Sequence, residues 1–408
     1  MKQIIITILV CFIGMTVFAQ SVDLSYFTEE YNRSIATFID RLEILETVRN
    51  ANLSGVGEFY HDALKVLLTK IPDIKTKEEW DAVEASSRLL CQELGNEQYT
   101  EAAPELWRLV QYYDIVNYVN DGLAMQDALV AIGKVGDKDY VQHVVLALDD
   151  FNTLHSPNVE TRRRIQRAAV GAISALEDLH DIDGYRPVFF AYVGWYDPAI
   201  RAMASAALPN IVEDPGEVIS AIIRDSYNEP SIKLTAWQEM LRTRAPDSSK
   251  AKVAATALAA GWSYPTNDPH NQRVLREMRI SAINTITQLG VEDDSVYGNL
   301  EKSYANNYLS NSPDYEEIRR TIDCLSASKS DESVDILLKF LRDLNERRRV
   351  GPWGNKERLA LQLVIPGIGG SQTQSPMVRM LLTTIMRSND YTGAEQGWAR
   401  DALRQLGM

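Results

Sequence analysis

Five histidines, His61, His143, His155, His180 and His270, are the first side chains to test for chemistry. No two stand four residues apart and no His-Glu-x-x-His occurs, so the spacing that puts two imidazoles of one helix on a zinc ion is missing. His143 sits in an apolar helical stretch and reads as a packed side chain. Asp181-Ile182-Asp183-Gly184 hints at a calcium loop. With Gly184 as the turn glycine, however, the first and twelfth ligand positions fall on Leu179 and Phe190, which offer no oxygen donor. A capped interhelical turn fits better. Gly367-Ile368-Gly369-Gly370-Ser371 lacks the lysine and strand of a phosphate cradle and reads as a helix ending before Ser375-Pro376. No Gly-x-Ser-x-Gly elbow is present. Carboxylates are abundant, which keeps one enzymatic alternative open: a glycan-cleaving α/α toroid with two acids across a cleft. Against it stand short repeats and few aromatic-dense loops. No catalytic residue, cofactor or metal ligand is assigned.

Recognition chemistry is easier to place. Trp, Tyr and Arg most often dominate binding energy. They gather in two of three long connections, read at 149–160, 261–272 and 347–356. The second carries Trp262 and Tyr264, the third Arg347, Arg348, Arg349 and Trp353. In a repeat array such insertions share an edge, which makes these six residues the candidate partner-binding set. The structural alternative is that both tryptophans fold back onto the repeats and the arginines favour a helix C-terminus. The aromatic run from Tyr185 to Tyr196 reads mostly as inter-repeat core, and Arg162-Arg163-Arg164 as a solvated helix start.

The elements that must position these residues are helices. Apolar faces recur at helical spacing, as in Val141, Val144, Val145 and Leu148, or Val334, Leu337, Phe340, Leu341 and Leu344, and strand-like alternation is absent. Asp197-Pro198, Asp214-Pro215, Glu229-Pro230 and Ser375-Pro376 mark helix starts, while Gly136, Gly290 and Gly370 mark ends.

The strongest signal is internal repetition. Asp197-Pro198-Ala199-Ile200-Arg201 and the following residues to Leu208 match Glu229-Pro230-Ser231-Ile232-Lys233 and those to Met240 in acid, proline, isoleucine, base, alanine and final apolar residue. The apolar/small/apolar core continues at Ala124/Ala128/Ile132, Ile165/Ala169/Ile173, Met278/Ala282/Ile286 and Trp398/Ala402/Leu406, more weakly at Ile318/Ile322 and Leu361/Ile365, and least well at Val83/Ser87. Small central residues let helices approach closely, and one hairpin cannot bury its faces alone, so repeats must stack. The pattern resembles the HEAT-repeat family, in particular its short, alanine-rich bacterial form also found in phycobilisome-lyase-like proteins. Asp197-Pro198-x-Ile200-Arg201-x-x-Ala204 is the nearest match. The resemblance implies an all-α solenoid of antiparallel helical hairpins and a binding role. It implies no lyase activity, since no functional residue of that kind matches. It covers residues 120–408; residues 20–119 read as degenerate repeats or a helical cap.

Composition sets the remaining limits. A net charge of −14 argues against nucleic acid or anionic lipid as the general partner, and points the local arginines toward a protein with an acidic patch. Residues 1–19 have the layout of a signal peptide: Lys2, an apolar run from Ile4 to Phe18, then Ala19 before Gln20. Cleavage after Ala19 would remove Lys2 and take the charge from −14 to −15. An uncleaved membrane tether is the alternative. Cys91 and Cys324 read as buried small hydrophobes. The resulting expectation is an exported, non-catalytic, periplasmic or secreted scaffold. The alternatives are the toroid enzyme and a structural subunit of an envelope assembly.

Overall fold

A computed structural model describes residues 24–51, 53, 55–113, 121–310, 312–351 and 353–407. The expected signal peptide lies outside the described residues. Among the described residues there are twenty α-helices, a few single 3₁₀ turns and no strand. No described helix is long and apolar enough to cross a membrane.

The chain forms two compact units. The first comprises residues up to 184 with 194–207; the second comprises 185–193 with 208 onward. The first contains α1 (Leu24–Asn32), α2 (Phe38–Asn50), α3 (Gly57–Lys70), α4 (Lys77–Asn96), α5 (Ala103–Tyr112), α6 (Leu123–Val135), α7 (Val141–Thr153) and α8 (Val159–Leu179). The second contains α9 (Tyr185–Val193), and α10 (Pro198–Ile211) is divided between the units. The second continues with α11 (Gly216–Arg224), α12 (Pro230–Arg242), α13 (Asp247–Ser263), α14 (Pro269–Leu289) and α15 (Ser295–Leu309). It ends with α16 (Tyr315–Ser328), α17 (Asp331–Val350), α18 (Asn355–Gly370), α19 (Pro376–Arg387) and α20 (Gly393–Gln405).

Inside each unit, a helix packs on its sequence neighbour and on the next but one. In the first unit α2, α4, α6 and α8 make one row and α1, α3 and α5 the other; in the second, α12, α14, α16, α18 and α20 face the row α9, α11, α13, α15 and α17. The fold is all-α and solenoid-like. The boundary expected at 119/120 falls inside the first unit, in a stretch outside the described residues. α5 before it and α6 after it pack together.

The repeat pattern marks the even-numbered helices. Ala128 in α6, Ala169 in α8, Ala204 in α10, Ala236 in α12 and Ala282 in α14 are fully buried. So are Ile165, Ile173, Met278, Ile318, Leu361 and Ile365. Each large side chain removed from water contributes about 1.5–3 kcal/mol, and the small residues between them set the approach distance. Glycine takes this furthest: a Cβ on Gly133 of α6 would sit 2.6 Å from the Ala175 Cα of α8, and one on Gly171 of α8 would sit 2.7 Å from the Gln126 carbonyl oxygen of α6. The glycine-rich run at 367–371 is of this kind as well, and it ends its helix before Ser375-Pro376 as expected. α18 runs through Gly370, and a Cβ on Gly369 would lie 3.0 Å from the Ala402 Cα of α20.

Helix starts vary in how they are capped. Asp197 Oδ1 accepts the Ile200 N–H at 3.1 Å, and Asp214 Oδ1 accepts the Gly216 N–H at 3.0 Å. Glu229, one methylene longer, makes no side-chain cap. Cys91 and Cys324 are free, buried thiols. His143 is exposed, not packed as expected: Val141, Val144, Val145 and Leu148 occupy the buried face of α7 and leave it outside, between the rings of Trp107 and Tyr140.

Candidate functional site

The connections read as long are short. α13 continues through Ser263 and α17 through Val350, so Trp262 and Arg347 to Arg349 belong to final helical turns and the linkers are only 264–268 and 351–354. Three cations in the last turn of α17 complement the negative end of the helix dipole.

Three of the six candidate residues turn inward. Trp262 donates its indole N–H to Ser303 Oγ at 2.7 Å, and Ser303 donates to Glu317 Oε1 at 3.1 Å. Arg279 of α14 stacks its guanidinium 3.9 Å from the Trp262 ring centroid. It holds Glu317 with two bonds of 2.8 and 2.9 Å and donates to the Gly261 carbonyl at 2.9 Å. The Glu317 side chain is wholly buried. Arg348 does the same near the end of the chain. It lies 4.4 Å from the rings of both Trp353 and Tyr391, donates to the Asp390 carbonyl, and pairs with the buried Glu395 at 3.0 Å. These clusters bind one repeat to the next. Sequence reading did not find Arg279, Ser303, Glu317 or Glu395, because their partners lie from 14 to 47 residues away in the chain, beyond any helical spacing.

The other three stay accessible. Arg347 is exposed, with its guanidinium 5.2 Å from the Tyr308 ring. Arg349 is exposed and, among the described residues, paired only with Glu346 one helical turn before it, at 2.9 Å. Tyr264 is half-buried and lines a groove of about 650 Å³ in the second unit.

That groove is the candidate site. Glu217, Ser220, Ile223 and Arg224 of α11 form one wall. Lys252, Ala255, Thr256, Ala259 and Ala260 of α13 form the floor, and Glu292, Asp293 and Ser295, at the start of α15, form the far side. Spacings of three and four along α11 and α13 put these residues on one helical face. The groove exists because α13 is alanine-rich where larger side chains would fill the space. Ser263, Tyr264 and Pro265 form its rim at the end of α13.

Lys233, the base of the repeat motif, closes one end. It is 3% exposed. Its ammonium donates to the carbonyls of Ile223 and Asp225, capping the C-terminus of α11, and lies 5.9 Å from the Tyr264 ring. Burial pushes the Lys233 pKa down, against the pull of Asp225. Some charges elsewhere in this unit meet in pairs across repeats, such as Arg279–Glu317, Arg348–Glu395 and Lys339–Glu301, while others, such as Arg273, Arg319 and Arg320, are in no ion pair within the described residues. Glu217, Arg224, Lys233, Lys252, Glu292 and Asp293 all line the groove, and none of them is in an ion pair within the described residues.

Among the described residues no group of three His, Cys, Asp or Glu side chains could hold a metal ion. In the first unit, burial and a hydrogen bond with Asp121 push the Glu84 carboxyl up to about 7. Two carboxyls in direct hydrogen bond leave no room between them for a glycosidic bond, which needs roughly 5 Å or more. His61 is tied to Glu105 at 2.9 Å. Neither a known protein-family model nor a curated protein matches this sequence.

Proposed function

We propose that this chain is an exported, non-catalytic scaffold of the HEAT type that holds another protein through the groove formed by α11, α13 and the start of α15. The observation that carries the proposal is the set of unpaired charges around an alanine floor, with Tyr264 at the rim. Charges of both signs gathered in one concave surface can meet complementary charges of a partner. Tyr264 adds aromatic area that a partner can cover. Export rests on the signal-peptide layout of residues 1–19. Arg347 and Arg349, exposed at the end of α17, are a secondary basic contact for an acidic patch. Trp262, Arg348 and Trp353 contribute to folding rather than to the partner contact.

The test is site-specific photo-crosslinking in the envelope of the source cell. A benzophenone side chain at Thr256, on the groove floor, is expected to label one protein reproducibly. The same group at the exposed Leu146 of α7 is the control. Equal labelling from both positions, or none from Thr256, would remove the groove as the partner site. Cleavage of glycans by the purified protein would favour the toroid enzyme instead.

A further inference from the structure

The groove has two chemically different ends. Glu217 lies in the first turn of α11 and Arg224 is its last residue. Seven residues of helix separate them by roughly 10 Å along the axis. Lys233 caps the same end as Arg224, and its contact with Tyr264 brings the end of α13 there too. The Trp262–Ser303 hydrogen bond sets the register between α13 and α15, so Glu292 and Asp293, before α15, fall near Lys252 at the opposite end. One end therefore gathers Arg224, Lys233 and the hydroxyls of Ser226, Ser263 and Tyr264; the other gathers Glu217, Glu292 and Asp293 around Lys252.

Lys233 points to the ligand. A lysine ammonium has three donors. Two go to the Ile223 and Asp225 carbonyls, and no further bond is made within the described residues. A buried cation in a groove wall with a donor to spare favours an anion that enters the groove. Beside it, Arg224 uses only Nε, on its own Ser220 carbonyl at 3.2 Å, and leaves its terminal nitrogens open.

We propose that the groove takes an extended peptide segment of the partner, with an Asp or Glu side chain held by Lys233 and Arg224 and a Lys or Arg side chain about three residues away held by Glu217, Glu292 and Asp293. The proposal rests on the groove being the partner site. The separation of the two ends, roughly 10 Å, is that of about three residues of extended chain at 3.3 Å each. The small floor leaves the backbone room to lie flat.

The experiment is selection of a random heptapeptide library, with amidated C-termini, against the protein spanning residues 20–408. The selected peptides are expected to carry an acid and a base about three positions apart. Arg224→Gln, a surface change, is expected to weaken such a peptide about tenfold, the scale of one charge-assisted hydrogen bond. Lys233→Met is expected to abolish the preference for an acid, with circular dichroism confirming that the helices persist; if that variant fails to fold, Arg224→Gln decides alone. Selected peptides lacking an acid, or an affinity for the acid-bearing peptide unchanged by Arg224→Gln, would overturn the proposal. Selection only from a parallel library with free C-termini would assign the anion to a chain terminus and overturn the side-chain version. Saturation by inorganic phosphate alone, with no peptide selected, would also overturn it. Labelling from Thr256 without any acid preference would leave the partner site standing and sink only this inference.

Discussion

Two buried cations flank the end of α13, and they are completed differently. On one side Arg279 stacks on Trp262, caps the Gly261 carbonyl and is neutralised by Glu317. On the other, Lys233 lies beside Tyr264, caps the end of α11 through two carbonyl oxygens, feels the pull of the Asp225 carboxylate, and is in no ion pair within the described residues. The first arrangement is closed: the guanidinium has a buried carboxylate as its counter-charge, and the indole N–H is used as well. The second is open toward a groove. The contrast separates a contact that holds repeats together from one that is available to a ligand. A Trp and a Tyr two residues apart thus stand in different settings.

The comparison can be broken at four places. The largest effect is expected from Glu317→Leu, which strands Arg279 in the interior; breaking a buried pair costs about 3–5 kcal/mol, read by chemical denaturation. A loss below about 1 kcal/mol would mean that water reaches Arg279 and the cluster is not closed. Lys233→Met removes a cap without stranding a charge and is expected to cost less, about 1–2 kcal/mol. A cost equal to that of Glu317→Leu would make Lys233 a purely structural residue.

The two tryptophans sharpen the picture on a finer scale. Trp262 donates to Ser303, while the buried Trp353 indole N–H has no partner among the described residues. Replacement by Phe keeps a ring over the arginine in both cases. Trp262→Phe is therefore expected to cost about 1 kcal/mol more than Trp353→Phe. Equal costs would show that ring area, not the hydrogen bond, matters at both positions.

The smallest effect concerns pH, and here carboxyls in closed and strained settings differ in sign. Burial pushes the Glu395 pKa up, but hydrogen bonds from Arg348 and Thr392 outweigh it and hold the carboxyl below its ordinary 4.5. Its stabilisation is present above that value and lost as pH falls through the lowered pKa. Glu84, held by burial and Asp121, titrates at about 7 instead of 4.5. Its stabilisation is present below pH 4.5 and lost as pH rises to about 7. Glu84→Gln is expected to flatten the melting temperature between pH 5 and 7 without altering the acid limb. An unchanged slope in that window would mean the two carboxyls do not share a proton.

Much of the architecture was legible in the chain. The Ala-centred pattern marked the even-numbered helices because it records how closely those helices approach, and that constraint is written in local residue size. Tyr264 was legible as an aromatic side chain near a helix end, and Lys233 as a repeat position. The loops at 261–272 and 347–356 were read too long, since Gly, Pro and Arg near a helix end look like linker while the helix is still satisfying its hydrogen bonds. His143 was misplaced because an apolar stretch does not by itself say which face of its helix is buried.

By itself, then, the sequence determined that this protein is helical, repeated and acidic, because those properties follow from spacing, residue size and charge along a few turns. Only the tertiary structure decided which arginines are neutralised and which cations stay open. Arg279 and Lys233 look alike in the chain. What distinguishes them is a carboxylate 38 residues further on that one can reach and the other cannot.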